Sequence, residues 1–292
     1  MKSIYATENR EVRAMSWKYT DEYYTEYSRT TWNESAIPYI KLMERMAPFT
    51  DELLKRVKID NGMKILDIGT GPGEPAITLS GRVGSDGHVT GIDLSEKMID
   101  LAKEAAKRKG VQNVSFLVMN AEDLKFPEES FDLVLSRFGF QIFTNPEKAA
   151  GEACQVLRKG GELGVVVWST GDKVPALNVL VEPMMENVTP DETGYIPTPY
   201  ELGGPGELAQ LFLNSGFASA TEDRITKILH FRDSEDYFDL YLKGTPLGHS
   251  LSEEEESVQK EILRKTKLNL EKWKTDNGFA IPAEVVTVIA RK

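Results

Sequence analysis

The chain has 292 residues, 40% of them hydrophobic and 28% charged, with a formal net charge of −11. That length buries a substantial core, and the acidic balance argues against a general nucleic-acid partner, which needs clustered positive charge. A single cysteine excludes an internal disulfide, and no apolar run is long enough to span a bilayer, so the reading is a cytoplasmic protein.

Residues 1–13 are polar and read as a frayed tail without a secretory signal. Residues 15–39 are dense in aromatics, and Tyr19, Tyr23 and Tyr27 recur at helical spacing. Such a stripe either docks on a core or covers an apolar ligand with hydroxyl-tipped rings. Ser35–Val57 continues with helical spacing, and Pro48 is expected to kink or restart the helix.

Asn61-Gly62 turns into a strand over Met63–Ile68, followed by glycines at 69, 71 and 73 and a short helix, Ala76–Val83. A second strand is expected over His88–Asp93, with a helix from Glu96 to Lys109 between Ser95 as cap and Gly110 as stop. Strands at Val114–Val118 and Phe131–Ser136 follow, then a helix from Asn145 through Leu157 and a strand Leu163–Trp168. This alternation specifies a parallel sheet with helices on both faces. Beyond it come helices at Pro175–Val188 and Glu207–Asn214, an irregular stretch over Pro190–Pro205, and a strand over Ala218–His230. Asp233–Lys243 and Ser252–Trp273 read as helices, with Glu253–Glu256 in the first turn of the second, and Glu284–Arg291 as the closing strand.

The glycine corner after the first strand is the chemically informative stretch. Glycines there let the backbone turn with positive φ and approach a ligand, and the helix start offers unpaired N–H groups. A dinucleotide fingerprint needs Gly-x-Gly-x-x-Gly. Gly69 and Gly71 fit it, but the third position is Glu74, whose carboxylate would repel a pyrophosphate. The pattern present is Asp-x-Gly-x-Gly-x-Gly: Asp67, Gly69, Gly71, Gly73.

This pattern resembles motif I of the class I S-adenosylmethionine-dependent methyltransferases, whose cofactor carries no phosphate. The resemblance extends to Asp93 in Val-Thr-Gly-Ile-Asp-Leu-Ser, to Val118-Met-Asn-Ala-Glu-Asp-Leu-Lys-Phe-Pro with Asn120 where the family has Asp, and to Phe131-Asp-Leu-Val-Leu-Ser-Arg. It ends with Val156-Leu-Arg-Lys-Gly-Gly-Glu-Leu, where Lys159 replaces a usual Pro. Within that class the chain most resembles the ubiquinone- and menaquinone-biosynthesis C-methyltransferases and related small-molecule methyltransferases.

The resemblance implies a Rossmann-like, doubly wound α/β sheet of seven strands, mostly parallel with the last antiparallel. It implies a methyltransferase domain over residues 61–292, with a helical lid or docking segment at 1–60 and cap elements at 172–205 and 233–279. S-adenosylmethionine would be held by Asp67, Gly69, Thr70, Gly71, Gly73, Asp93, Leu94, Met98, Asn120, Ala121, Glu122, Ser136 and Arg137. Asp93 would take the ribose hydroxyls and Asn120 the adenine amino group.

Methyl transfer needs no metal, and three histidines without ligand spacing give none. Candidates for a base or an oxygen-holding group are Arg137, His249 (expected in a cap loop) and Tyr27. Phe138, Phe140, Phe143 and the N-terminal tyrosines predict an aromatic pocket for a quinol, phenol, polyketide or lipid-like acceptor. The alternatives are a protein or peptide acceptor, and a non-catalytic S-adenosylmethionine-binding protein.

Overall fold

The computed structural model describes residues 21–187 and 199–292. The tail, Trp17, Tyr19 and most of the irregular stretch from Pro190 lie outside the described residues. Helices α1 (Asp21–Arg45) and α2 (Ala47–Leu54) lead into alternating units: β1 (Lys64–Ile68), α3 (Ala76–Val83), β2 (His88–Asp93), α4 (Glu96–Lys109), β3 (Val114–Val118), β4 (Phe131–Arg137), α5 (Pro146–Val156) and β5 (Leu157–Trp168). Then come α6 (Pro175–Asn187), α7 (Glu207–Asn214), β6 (Ser219–Phe231), α8 (Ser234–Gly244), α9 (Leu247–Ser252), α10 (Glu256–Glu271), β7 (Lys274–Thr275) and β8 (Gly278–Arg291).

The sheet order is β3-β2-β1-β4-β5-β8-β6. The first five strands run parallel, and β8 runs antiparallel to both β5 and β6. The chain winds outward from β1 in one direction and returns through β4 in the other, so the strand order reverses between β1 and β4. Open α/β sheets bind ligands in the crevice at the carboxyl ends of such strands. The glycine corner leaves the carboxyl end of β1.

Alternation along each strand makes two cores. Ile65, Leu133, Leu135 and Val166 face the side covered by α2 and α3, against Phe49, Leu53 and Leu79. Leu66, Ile68, Val134 and Val165 face α5 and α7, against Ala150, Cys154, Leu208 and Phe212.

Several boundaries differ from the sequence reading for physical reasons. Pro38 is carried inside α1, and the break falls at Met46, which leaves Pro48 in the first turn of α2, where no intrahelical N–H is missed. The strand expected from Leu163 begins at Leu157, because its pairing with β4 shifts register between Phe131↔Leu157 and Leu133↔Glu162 and carries the Gly160-Gly161 turn inside the strand. Strand β8 begins at Gly278 rather than Glu284, since β6 offers it a pairing partner all the way to Phe231. Gly278, at φ +112°, also turns the chain back on β7, a two-residue strand beyond the seven expected. The helix expected from Ser252 begins at Glu256: Ser252 ends the separate helix α9, Glu253–Glu255 lie between the two, and Glu256 enters the first turn of α10, where the helix dipole favours acid.

Candidate functional site

The corner is fastened to β2 by its backbone. The N–H groups of Gly69 and Thr70 both donate to the Ile92 carbonyl at 2.9 Å. Gly73, at φ +106°, lies so close to α3 and α4 that a Cβ would stand 2.8 Å from Ile77 Cδ1 and 3.2 Å from Ala102 Cα. Gly73 therefore permits the close helix approach that a fingerprint's third glycine would give.

Glu74 corrects the reasoning that excluded a pyrophosphate. Its carboxylate accepts the Thr78 N–H at 3.1 Å and pairs with Lys109 Nζ at 2.8 Å. It braces α3 against α4 rather than facing a ligand. The acidity of the corner comes instead from Asp67 and Asp93.

Asp67 is fully buried. Its Oδ2 accepts the Thr70 hydroxyl at 2.7 Å, while Oδ1 has no hydrogen-bond partner. Burial pushes its carboxyl up to about 6, against the opposing pull of the Thr70 hydroxyl and the Arg137 charge. Asp93, which ends β2, accepts the Gly71 N–H on Oδ2 at 2.9 Å and the Ser95 N–H on Oδ1 at 3.0 Å. Desolvation raises it to about 6 as well. Each Asp93 oxygen keeps a second lone pair for a ribose hydroxyl.

Beyond Asp93, the Ser95 hydroxyl caps α4 by accepting the Met98 N–H at 3.1 Å; Met98 is buried and Leu94 half-buried beside it. The sequence reading gave no site role to Asn33 of α1. Its Oδ1 accepts the Ser95 hydroxyl at 2.6 Å and the Lys97 N–H at 3.1 Å. One helical face further on, Tyr39 stands 3.4 Å from where a Cβ on Gly71 would lie. Helix α1 is thus laid across the corner. Asn33 sits in a polar run with no periodic signal, so only the tertiary contact marks it.

After β3, Asn120 Oδ1 accepts the Glu122 N–H at 2.9 Å, closing an Asx turn around the buried Ala121. Glu122 is also buried and accepts the Asn145 N–H at 2.8 Å, so it fixes the start of α5. The amide oxygen of Asn120, expected to meet an adenine, is already used once by its own turn.

At the end of β4, Ser136 and Arg137 are buried and point to opposite faces. Arg137 is the last strand residue rather than the one after it. Phe138 follows at φ +62°, a backbone conformation unusual for a side-chain-bearing residue. Its ring lies 4.5 Å from the Trp168 ring, and Phe49 meets both rings edge-on at 6.0 and 5.6 Å. This aromatic wall stands at the carboxyl ends of β4 and β5. Trp168 and Phe49 carried no functional expectation; Trp168 reads as one more apolar strand residue.

Tyr27 and His249 come together, but elsewhere. Their rings meet edge-on at 5.7 Å, and the Tyr27 hydroxyl lies 3.4 Å from Ser250 Oγ. His249 lies in helix α9 rather than a loop, with Nδ1 3.1 Å from Glu34 and Nε2 3.5 Å from Glu253. No hydrogen bond, ion pair or ring contact among the described residues links either residue to Arg137, Asp67 or Asp93. Burial raises the Tyr27 hydroxyl.

A doubly wound sheet with a reversed strand order, a glycine corner and two carboxylates, one buried and one half-buried, in place of a phosphate cradle defines a nucleoside-cofactor enzyme of the Rossmann-like class. A family model described as "Methyltransferase domain" matches residues 59–233. The chain belongs to this family and is an S-adenosylmethionine-dependent methyltransferase.

Among relatives, it is 28% identical over 178 residues to a demethylmenaquinone methyltransferase of Listeria welshimeri, covering 57% of this chain and 75% of that one. It is 38% identical over 109 residues to a ubiquinone/menaquinone biosynthesis C-methyltransferase of Shewanella pealeana, covering 37% and 43%. Its fold is similar, with a TM-score of 0.54 and 20% identity over 84% of this chain and 52% of the other, to phosphoethanolamine N-methyltransferase 2 of Haemonchus contortus in complex with phosphomonomethylethanolamine and S-adenosylhomocysteine. The residues present fit the family's cofactor. Asp67 Oδ1 is an unmet acceptor, the Asp93 carboxylate has lone pairs to spare, and the corner's acids suit a cation better than a phosphate.

Proposed function

We propose that this methyltransferase acts on a small, apolar or aromatic acceptor of the quinol, phenol, polyketide or lipid-like kind. The observation that carries this reading is the Phe49–Phe138–Trp168 wall beside the glycine corner, where Gly139 approaches Gly69 closely enough that a Cβ on Gly69 would stand 3.6 Å from its Cα. The three rings are buried, Phe49 completely, so they back the site with apolar surface, a setting that suits an apolar acceptor better than a highly charged one. The demethylmenaquinone and ubiquinone/menaquinone methyltransferase relatives support the same class.

The cofactor supplies a methyl group carried on a positively charged sulfur. Everything else is positioning by the chain. In this reading Gly69–Gly73 and Asp93 fix the nucleoside, Asp67 faces the cationic end, and Asn120 borders the adenine side. Helix α1, through Asn33 and Tyr39, acts as a lid that keeps water from the in-line path. Residues 61–292 form the methyltransferase domain, and the helices within 233–279, with the described part of 172–205, form the cap. No nucleic acid is part of the reading. No helix among the described residues is long and apolar enough to cross a membrane.

The test is incubation of the protein with methyl-labelled S-adenosylmethionine and a total cell extract. Label in the solvent-extractable fraction is expected. Label confined to protein would replace the acceptor class with a peptide, and absence of any transfer despite cofactor binding would favour a binding protein.

A further inference from the structure

We propose that Arg137 is an oxyanion receptor at the carboxyl end of β4, whose guanidinium takes either the α-carboxylate of the cofactor or the ionised oxygen of the acceptor. The inference rests on the methyltransferase assignment and adds a ligand-binding role for one side chain.

The argument starts from burial. Arg137 is 5% exposed, and its Nε and Nη1 have no hydrogen-bond partner. Among the described residues its one hydrogen bond runs from Nη2 to the Glu74 carbonyl, at 3.4 Å. A guanidinium cannot shed its charge at any ordinary pH, so burial without partners is expensive unless a ligand provides them. Asp67, whose carboxyl feels the Arg137 charge, does not provide them. Asp67 pairs in register with Leu135, which places Asp67 and Arg137 on the same face of the sheet, yet no ion pair within 4.0 Å joins them. Asp67 also keeps an unpartnered oxygen. Two unmet donors and an unmet acceptor therefore stand on one face of the site without satisfying each other.

The surroundings favour a planar anion. The Phe138 ring lies 5.9 Å from the guanidinium carbon and shields it from water. The turn that puts it there has φ +62° at Phe138, and the Phe138 N–H is held by the Val166 carbonyl at 2.8 Å. Nε and Nη1 lie on different edges of the guanidinium, each beside Nη2, whose second N–H is left over by the Glu74 contact; one edge thus still presents two parallel donors, which match a carboxylate or an ionised ring oxygen better than a neutral carbonyl. Such strained, over-determined geometry concentrates at ligand-holding positions.

Calorimetry separates the two sources. S-adenosylhomocysteine and 5′-deoxy-5′-methylthioadenosine share the nucleoside and sulfur, but only the first has the amino-acid end. Both are titrated into wild type, Arg137→Met and Arg137→Lys, and 4-nitrophenolate is titrated into the S-adenosylhomocysteine complex at a pH where it is ionised. Thermal melts establish that the variants fold. If the cofactor is the source, Arg137→Met weakens S-adenosylhomocysteine by about tenfold or more and leaves methylthioadenosine unchanged, with part of the loss restored by lysine. If the acceptor is the source, both nucleosides bind as in wild type and 4-nitrophenolate binding falls by about tenfold. The proposal is overturned if all three probes bind Arg137→Met within about twofold of wild type, or if both nucleosides weaken equally. Wild type binding neither nucleoside would instead bring down the methyltransferase assignment and this proposal with it.

Discussion

The carboxylate of Asp93 accepts the backbone N–H of Gly71 at 2.9 Å, so the acid at the end of β2 holds the glycine loop before it meets any ligand. Its other oxygen holds the Ser95 N–H, at the start of α4. One side chain thus ties together the loop, the second strand and the start of α4.

Replacement of Asp93 by alanine is expected to lose more than a ribose contact. Each charge-assisted hydrogen bond removed weakens S-adenosylhomocysteine binding by about 1.5–3 kcal/mol, and the freed Gly71 and Ser95 N–H groups loosen the corner. Calorimetry measures the first effect, and amide hydrogen exchange at residues 69–73 the second. Affinity equal to wild type would remove Asp93 from the site.

The pH dependence of the ligand-free protein follows from the two raised carboxyls. Asp67 and Asp93 are both pushed up to about 6 by desolvation, above the value of an unfolded aspartate. Folding therefore favours their protonated forms. The stability that this contributes is fully present below about pH 4 and is lost as pH rises through about 6, on the order of 3 kcal/mol for each group. Thermal melts from pH 4.5 to 7.5 should show this fall, with a shallower slope for Asp67→Asn. A slope identical in the two proteins would show that Asp67 does not titrate as the geometry requires.

Gly73→Ala is expected to destabilise the fold. The new methyl would meet Ile77 Cδ1 at 2.8 Å and the Ala102 backbone at 3.2 Å, and φ at this position is +106°. Strain and overpacking together cost about 2–4 kcal/mol. Urea denaturation reads this directly, and Gly81→Ala, where a Cβ meets nothing within 4 Å, serves as the unstrained control.

Asn33→Ala removes the acceptor for the Ser95 hydroxyl and the Lys97 N–H. A loss of about 0.5–1.5 kcal/mol is expected, with faster proteolysis within α1. Unchanged cleavage of α1 would mean that this contact does not hold the helix down.

Much of the fold was legible because local chemistry and tertiary placement agree. Ser95 and Gly110 mark the ends of α4 by capping, and α3, β2, β3 and α7 fall at the boundaries that their periodicity predicts. The errors cluster where a distant partner decides. Strand β8 is long because β6 lies beside it, and β5 starts early because β4 accepts a shifted register.

The site divides in the same way. Asp67, Asp93 and the glycines advertise themselves by spacing, whereas Glu74 misleads because its partner, Lys109, is 35 residues away. Asn33, Phe49 and Trp168 gain their positions only from packing, and no pattern in the sequence separates them from ordinary helix and strand residues. His249 looked like an available base because a loop position suggested reach; the structure puts Glu34 and Glu253 against its two nitrogens.

The Asn33 contact also bears on α4. The same oxygen that holds α1 down serves the Lys97 N–H at the exposed start of α4. Without α1 in place that helix terminus would be short of an acceptor, at a cost of about 1 kcal/mol. The start of α4 is thus steadied by a single amide on a helix that makes no part of the sheet.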